Sequence, residues 1–144
     1  MSRVFFTARA LIAVLGLGVA AAASAHHSYA MFDGERTSTV KGTVAKLEWT
    51  NPHVFIWLYV PNQAAASGFD LYAFENGSPN VLARKGWSNG TFAAGEELMI
   101  EYWPLLDGRT GGHFKQATRA DGSVLTGAGG PRGVDGTLPA EKQQ

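Results

Sequence analysis

The chain of 144 residues contains no cysteine. It therefore has no disulfide framework, no thiolate metal site and no cysteine nucleophile. It also lacks an excess of basic charge, because 12 lysine and arginine residues balance 12 aspartate and glutamate residues. Phosphate binding needs a basic surface, so nucleic acid is not an expected partner. The sequence has no Gly-x-Ser-x-Gly, phosphate-loop or His-Glu-x-x-His motif, so hydrolase and nucleotide-binding functions lack support.

The first 25 residues have the pattern of a secretory signal peptide. Arg3 and Arg9 give a positive start, residues 10–23 form an apolar run with glycine, and Ala23-Ser24-Ala25 is a small-residue cleavage site. The run has about 14 residues, whereas a membrane-spanning helix needs about 20. We therefore expect a periplasmic or secreted protein that is cleaved after Ala25, begins at His26 and has no stable membrane insertion after cleavage.

Composition and periodicity divide the mature chain into three parts. Residues 26–36 form an N-terminal segment, and residues 37–125 alternate apolar and polar positions in the manner of β-strands. Residues 126–144 are rich in glycine and have almost no large apolar side chain. Such a segment cannot bury enough surface to offset the loss of chain entropy, so we expect a disordered tail there.

The domain at residues 37–125 is predicted to be all-β with one short helix. Apolar alternation indicates five strands, near residues 40–49, 53–60, 68–75, 97–103 and 113–119. A helix is expected from Ser78 to Gly86, because Ser78 suits the N-cap and Pro79 the first helical position. A helix between the third and fourth of five strands is the element order of the OB-fold, a partly open five-stranded barrel. A small β-sandwich is the alternative, since its strand order does not require the helix.

Several short sequence blocks are similar to those of the exported bacterial proteins grouped as the DUF6152 family. The blocks are His26-His27-Ser28, Phe32-Asp33, Gly42-Thr43-Val44, Trp49-Thr50-Asn51-Pro52-His53, Gly77-Ser78-Pro79-Asn80 and Arg84-Lys85-Gly86-Trp87. The resemblance covers residues 26 to about 125, and His113 lies outside its blocks. It implies export, a single domain and a barrel; the family is uncharacterised, so the resemblance implies no reaction.

The expected mature N-terminus is the main candidate for a metal site. The free α-amine and the imidazole Nδ1 of His26 can chelate one ion together, and His27 adds an imidazole beside them. Nitrogen ligands of this kind favour Cu(II). The arrangement is similar to the histidine brace of copper monooxygenases, which needs a further imidazole from elsewhere in the fold. His53 is the first candidate for that ligand and His113 the second, and the expected topology puts these two at opposite ends of the barrel.

A metal-free interpretation of the same histidines stays open. His26 and His27 can be a frayed terminus, and His53 can simply bond nearby backbone in an Asn-Pro-His turn. Histidine is the commonest metal ligand, yet most histidines bind no metal. The sequence therefore offers copper as a possible cofactor without requiring one.

Aromatic residues of the second and third strands form the other candidate site. Phe55, Trp57, Tyr59 and Tyr72 lie where OB barrels usually bind ligands, and such rings can stack on sugars or bases. Alternatively, Tyr29, Met31 and Phe32 of the N-terminal segment, or Trp87 beside the helix, cover this face. Two functions follow: a copper-binding protein, or a metal-free interaction module for a sugar, peptide or protein. A copper-dependent oxidase requires the first, and we expect a binding protein rather than an enzyme.

Overall fold

In the computed structural model, which describes residues 29–131, six strands and one short helix follow one another along the chain. Their bounds are β1 (Ser38–Glu48), β2 (Phe55–Pro61), β3 (Phe69–Glu75), α1 (Pro79–Ala83), β4 (Glu97–Pro104), β5 (Gly111–Arg119) and β6 (Val124–Thr126). All of them belong to a compact unit that begins at Phe32. The predicted fold class, all-β with one short helix between the third and fourth strands, is confirmed.

The first five strands close into a barrel. β1 pairs antiparallel with both β2 and β4, β3 pairs with β2, and β5 pairs with β4. A short parallel pairing of Ala73–Glu75 with Gly111–His113 joins β3 to β5 and completes the circle. This is the predicted OB-like barrel. The sixth strand, β6, is an addition that pairs with the second half of β5.

β1 closes the barrel because it serves two neighbours along its length. Its first half, from Ser38 to Thr43, pairs with β4, and its second half, from Thr43 to Glu48, pairs with β2. The change of partner occurs beside Gly42, where a Cβ would overlap the carbonyl oxygen of Tyr59. An irregularity at Ala45 follows, and an extra residue of this kind bends a strand and increases its twist. Gly42 and the irregularity at Ala45 therefore favour a long, bent first strand.

The inward-facing residues of the strands form one apolar core. Ile56 and Leu58 of β2, Phe74 of β3 and Phe114 of β5 are fully buried. Leu82 from α1 is also fully buried and packs into the same cluster. The alternation that predicted the strands is thus the alternation between the core and the outer surface.

The helix is shorter than the sequence predicts. It was expected from Ser78 to Gly86 but covers Pro79–Ala83, with Ser78 at the N-cap and without a side-chain capping bond. Residues 84–86 form turns, in which Gly86 has a φ of 84° and the Trp87 N–H donates to the Leu82 carbonyl. The glycine signal therefore marks the turn that follows the helix and not the last helical residue.

The glycine-rich segment after residue 125 is packed against the barrel as far as the structure describes it. Thr126 is the last residue of β6, and residues 127–131 continue along the barrel surface with backbone hydrogen bonds to it. Composition predicted a tail from residue 126 because few apolar side chains are present. Backbone groups provide the bonds instead, and they do not depend on side-chain composition. Residues 132–144 lie outside the described residues.

Replacing Leu82 with alanine should lower the free energy of unfolding by about 2–5 kcal/mol, because a large side chain would be removed from a closed core. Chemical denaturation of the purified protein measures this change. Leu106→Ala is the matched control, since Leu106 is 65% exposed and the same substitution there removes no buried contact. Equal stability of the two variants would contradict the role of α1 in the core.

Candidate functional site

The antiparallel ladder of β2 and β3 continues past the ends of both strands and positions His53. Phe55 lies opposite Glu75 in the register. Beyond them the Asn76 N–H donates to the Val54 carbonyl at 2.9 Å, and the Val54 N–H donates to the Gly77 carbonyl at 3.1 Å. His53, which directly precedes Val54, therefore lies next to hydrogen-bonded backbone and beside the end of β3.

His53 and Glu75 form a close pair at this end of the barrel. His53 Nδ1 lies 2.7 Å from Glu75 Oε1, and the side chains are 36% and 17% exposed. Two lone pairs would repel at this distance, so the proton belongs on Nδ1 and the neutral ring carries its lone pair on Nε2. Burial raises the pKa of Glu75, and positive charge on His53 opposes that rise. His53 Nε2 makes no hydrogen bond with the part of the chain that the structure describes.

His113 lies at the same end of the barrel and is buried outside the apolar core cluster. It is 2% exposed and pairs with Glu75 in the β3–β5 register. Phe32 and Trp103 flank its ring, with centroid distances of 5.3 Å and 5.9 Å. Its Nε2 lies 2.9 Å from the Gly129 carbonyl oxygen, which can only accept, so Nε2 carries the proton. Burial, with a smaller contribution from charge on His53, lowers the pKa of His113 to about 4 against the opposing effect of the hydrogen bond to Gly129.

The expectation that His53 and His113 lie at opposite ends of the barrel is wrong. β3 and β5 run parallel, and their pairing joins the last residues of β3 to the first residues of β5. Glu75, which contacts His53, therefore lies beside His113 as well. Strand order alone does not reveal this neighbourhood, because it depends on the register of a pairing between distant segments.

Phe32, the first residue of the compact unit, packs at this same end of the barrel. It is 5% exposed, forms an isolated bridge with Leu105, and is followed by an Asp33 N–H that donates to the Pro104 carbonyl at 2.8 Å. Phe32 was one of the residues expected to cover the aromatic face of β2 and β3. It packs instead on His113.

Within residues 29–131, no group of three or more His, Asp or Glu side chains has the geometry of a metal site. His53 supplies one oriented imidazole in this region. His26 and His27, the predicted chelating residues, lie outside the described residues. The copper site therefore stays a prediction.

The other candidate residues divide between two surfaces. Trp57 and Tyr59 lie on the outer face of β2, in register with Ala73 and Leu71 of β3. Tyr72 lies opposite the buried Leu58 on the inner face, so it does not share the surface of Trp57 and Tyr59. Its ring contacts those of Phe74 and Tyr102. Phe55 is half-buried and has its ring 6.3 Å from that of Trp57.

An open groove of about 280 Å³ lies on the outer face, lined by Ala45, Lys46, Trp57, Tyr59 and Leu71. Glu48 Oε2 accepts hydrogen bonds from Lys46 Nζ at 2.7 Å and from Trp57 Nε1 at 3.1 Å. These bonds lower the pKa of the Glu48 carboxyl, the Lys46 bond most of all. The polar groups on this side of the groove therefore bond one another.

The opposite side of the groove is apolar and exposed. Tyr59 and Leu71 are 42% and 44% exposed, and Phe69 packs edge-on against Tyr59 at 4.5 Å between centroids. Trp87, the other residue expected to cover this face, is buried in the core against Phe92 and Phe114. Neither Phe32 nor Trp87 covers the outer face.

Glu75 and Asn76 are the site residues that sequence reasoning missed. Glu75 ends a strand in which alternate residues are apolar, and it was taken only as the strand boundary. Counting the β2–β3 hairpin register back from the loop places it opposite Phe55, two residues from His53. Asn76 carries no sequence signal of its own beyond following that boundary.

Because His113 is buried in its neutral state, the free energy of unfolding should decrease as the pH falls. In the unfolded chain its pKa is about 6.5, against about 4 in the folded protein. Between these values the unfolded chain binds the additional proton, so lowering the pH favours unfolding, by about 3 kcal/mol in total. Denaturation of wild type and His113→Gln between pH 7 and pH 4 measures the difference. Identical pH dependence of the two proteins would contradict a buried neutral imidazole.

Comparison with known proteins assigns a family and no activity. The model of a family of unknown function, DUF6152, matches residues 14–115, a range that includes both His53 and His113. No curated protein and no solved structure matches the chain. In the described part of the chain, no helix is long and apolar enough to cross a membrane. The chain belongs to the DUF6152 family.

Proposed function

We propose that the protein is exported, is cleaved after Ala25 and binds Cu(II) through the α-amine and imidazole of His26. His27 lies beside this chelate, and His53 supplies the further imidazole. The observation that carries the proposal is the pair of His53 Nδ1 and Glu75 Oε1 at 2.7 Å. Histidines that bind metals commonly direct their second nitrogen to a carboxylate, which fixes the tautomer and raises the basicity of the ligating nitrogen.

The chain length between the two parts of the proposed site supports it. Phe32 is held beside His113 by its bridge to Leu105. His26 precedes Phe32 by six residues, and six extended residues span at most about 20 Å. A terminal chelate within that radius of Phe32 can meet an imidazole at this end of the barrel.

A metal-free interaction module is the second candidate function. Tyr59, Phe69 and Leu71 form an exposed apolar surface next to the groove at Trp57. Exposed apolar patches on a small protein commonly mark the place where another molecule binds. A sugar, peptide or protein partner would contact this outer face, and the module needs neither His26 nor copper.

Adding one alanine before His26 should weaken copper binding severely. The extra residue separates the amine from the imidazole of His26 and leaves every imidazole in place. Mature protein with the mass of residues 26–144 should bind one Cu(II) with a nitrogen-rich tetragonal EPR spectrum. Binding should strengthen as the pH rises past about 7–8, where the amine loses its proton. His26→Ala should act like the added alanine, and His53→Ala should have a smaller effect.

An alanine added after Gln144 is the matched control, because it lengthens the chain without touching the amine. Equal copper affinity of wild type and the N-terminally extended form would show that the amine is not a ligand. The interaction module would then be the better-supported function. A mass that begins at another residue would remove the basis of the terminal chelate.

Replacing Glu75 with glutamine should weaken copper binding about tenfold to a hundredfold, the usual effect of losing a carboxylate that orients a ligand. Glutamine keeps an oxygen near Nδ1 and removes the charge that raises the basicity of the ring. Isothermal titration with Cu(II) measures the change. Glu97→Gln is the control, because Glu97 forms an exposed ion pair with Lys41 at the start of β4, away from His53. Unchanged affinity in the Glu75 variant would separate this residue from the site.

A further inference from the structure

Residues 127–131, here called the strap, cross the barrel end directly over His113. Hydrogen bonds join the strap backbone to Asn76 directly after β3, to β5 and to the turn after α1. They run from Gly127 N to Lys115 O at 2.8 Å, from Ala128 N to Asn76 Oδ1 at 2.9 Å, from Lys85 Nζ to Gly127 O at 3.0 Å and from His113 Nε2 to Gly129 O at 2.9 Å. The strap therefore occupies the polar edge of the His113 ring and contributes to its burial.

The strap lies so close to the barrel that only glycine fits at two of its positions. Gly127 and Gly130 are both buried. A Cβ on Gly130 would overlap the indole of Trp103, and a Cβ on Gly127 would lie 2.8 Å from the Phe114 carbonyl oxygen. Trp103 is the ring that flanks His113. A side chain at Gly127 must displace the strap from the Phe114 backbone, and one at Gly130 must displace the strap or the Trp103 ring that flanks His113.

The closed strap is held mainly by polar bonds. Ala128 is its one residue packed against the apolar core in the described chain. Segments with few buried apolar contacts open locally more easily than the body of a domain. Beneath the strap, Asn76 is fully buried, and its Nδ2 has no partner among residues 29–131. Covering an amide group without a partner costs free energy, which opening to water would recover.

We propose that the strap is a gate over His113, and that its opening releases this imidazole to become an additional ligand of copper bound at His53. The second part rests on the proposed function. His53 and His113 lie at one end of the barrel. Glu75 contacts His53 and is the register partner of His113. The Gly129 carbonyl engages Nε2 of His113 while the strap is closed. Once released, a neutral imidazole binds a metal through whichever nitrogen carries the lone pair.

Chemical modification tests the gate without copper. Diethyl pyrocarbonate modifies accessible neutral histidines, and peptide mass spectrometry reads His113 and His53 separately. Gly130→Ala should raise the modification rate of His113 about tenfold while His53 stays constant, because the new methyl group cannot fit beside Trp103. Lys85→Met, which removes one strap bond and adds no bulk, should raise it by a smaller factor. Gly90→Ala is the control, since only the Ser88 side chain lies within 4 Å of a Cβ there, at 3.8 Å.

An unchanged His113 rate in both strap variants, with unchanged circular dichroism, would overturn the gate. Copper titration then tests the ligand role. A ligand that is available only in the open state lowers the apparent affinity by the open fraction, so Gly130→Ala should bind copper more tightly than wild type. Adding His113→Ala to that variant should abolish the gain.

The outcomes separate this inference from the function on which it rests. If wild type binds copper and Gly130→Ala binds it with the same affinity, His113 is not a ligand and the terminal site stands. If no form binds copper, the proposed function and the ligand role are both wrong. The modification rates decide the gate in either case.

Discussion

The parallel pairing of β3 with β5 is the contact on which both the barrel and the candidate site depend. Only Ala73–Glu75 and Gly111–His113 take part, yet the remaining pairings would leave an open sheet. Contacts between segments distant in sequence carry a loop-closure cost that other interactions must offset. Phe74 and Phe114, both fully buried in the core cluster, offset it at this seam. The pairing also brings Glu75 beside His113, so closing the barrel assembles the site.

The two histidines at this end differ because their acceptors differ. His53 contacts a carboxylate at Nδ1 and is half-exposed, whereas the His113 Nε2–H donates a hydrogen bond to a backbone carbonyl and is buried. Their neutral rings therefore carry lone pairs on opposite nitrogens. Burial also keeps His113 uncharged at neutral pH. An uncharged imidazole is the form in which histidine binds a metal.

Local signals were sufficient to predict β1 to β5 and the start of α1, whereas the features that were missed depend on contacts between distant segments. Alternation marked β1 to β5, and Ser78 with Pro79 marked the start of α1, because each signal needs only neighbouring residues. The placement of His113 was wrong because it follows from the β3–β5 register. The backbone-held residues 127–131 went unrecognised because glycine contributes hydrogen bonds that composition does not show. Recognising Glu75 as a neighbour of His53 required the β2–β3 register. His26 and His27 lie outside the described residues.

Tethering gives the proposed metal site a physical advantage that the fold alone does not provide. A ligand held on a short flexible chain meets its partner at an effective concentration in the millimolar range, so a single fixed imidazole contributes affinity without a complete protein cage. In the proposed site, the five residues between His26 and Phe32 link the chelate to the barrel. The contribution of proximity can then be separated from that of chelation. One alanine added before His26 changes the effective concentration of the imidazole very little, but it destroys the chelate of amine and imidazole. An arrangement of this kind needs only one well-oriented histidine on the barrel, and the Glu75 carboxylate gives His53 that orientation.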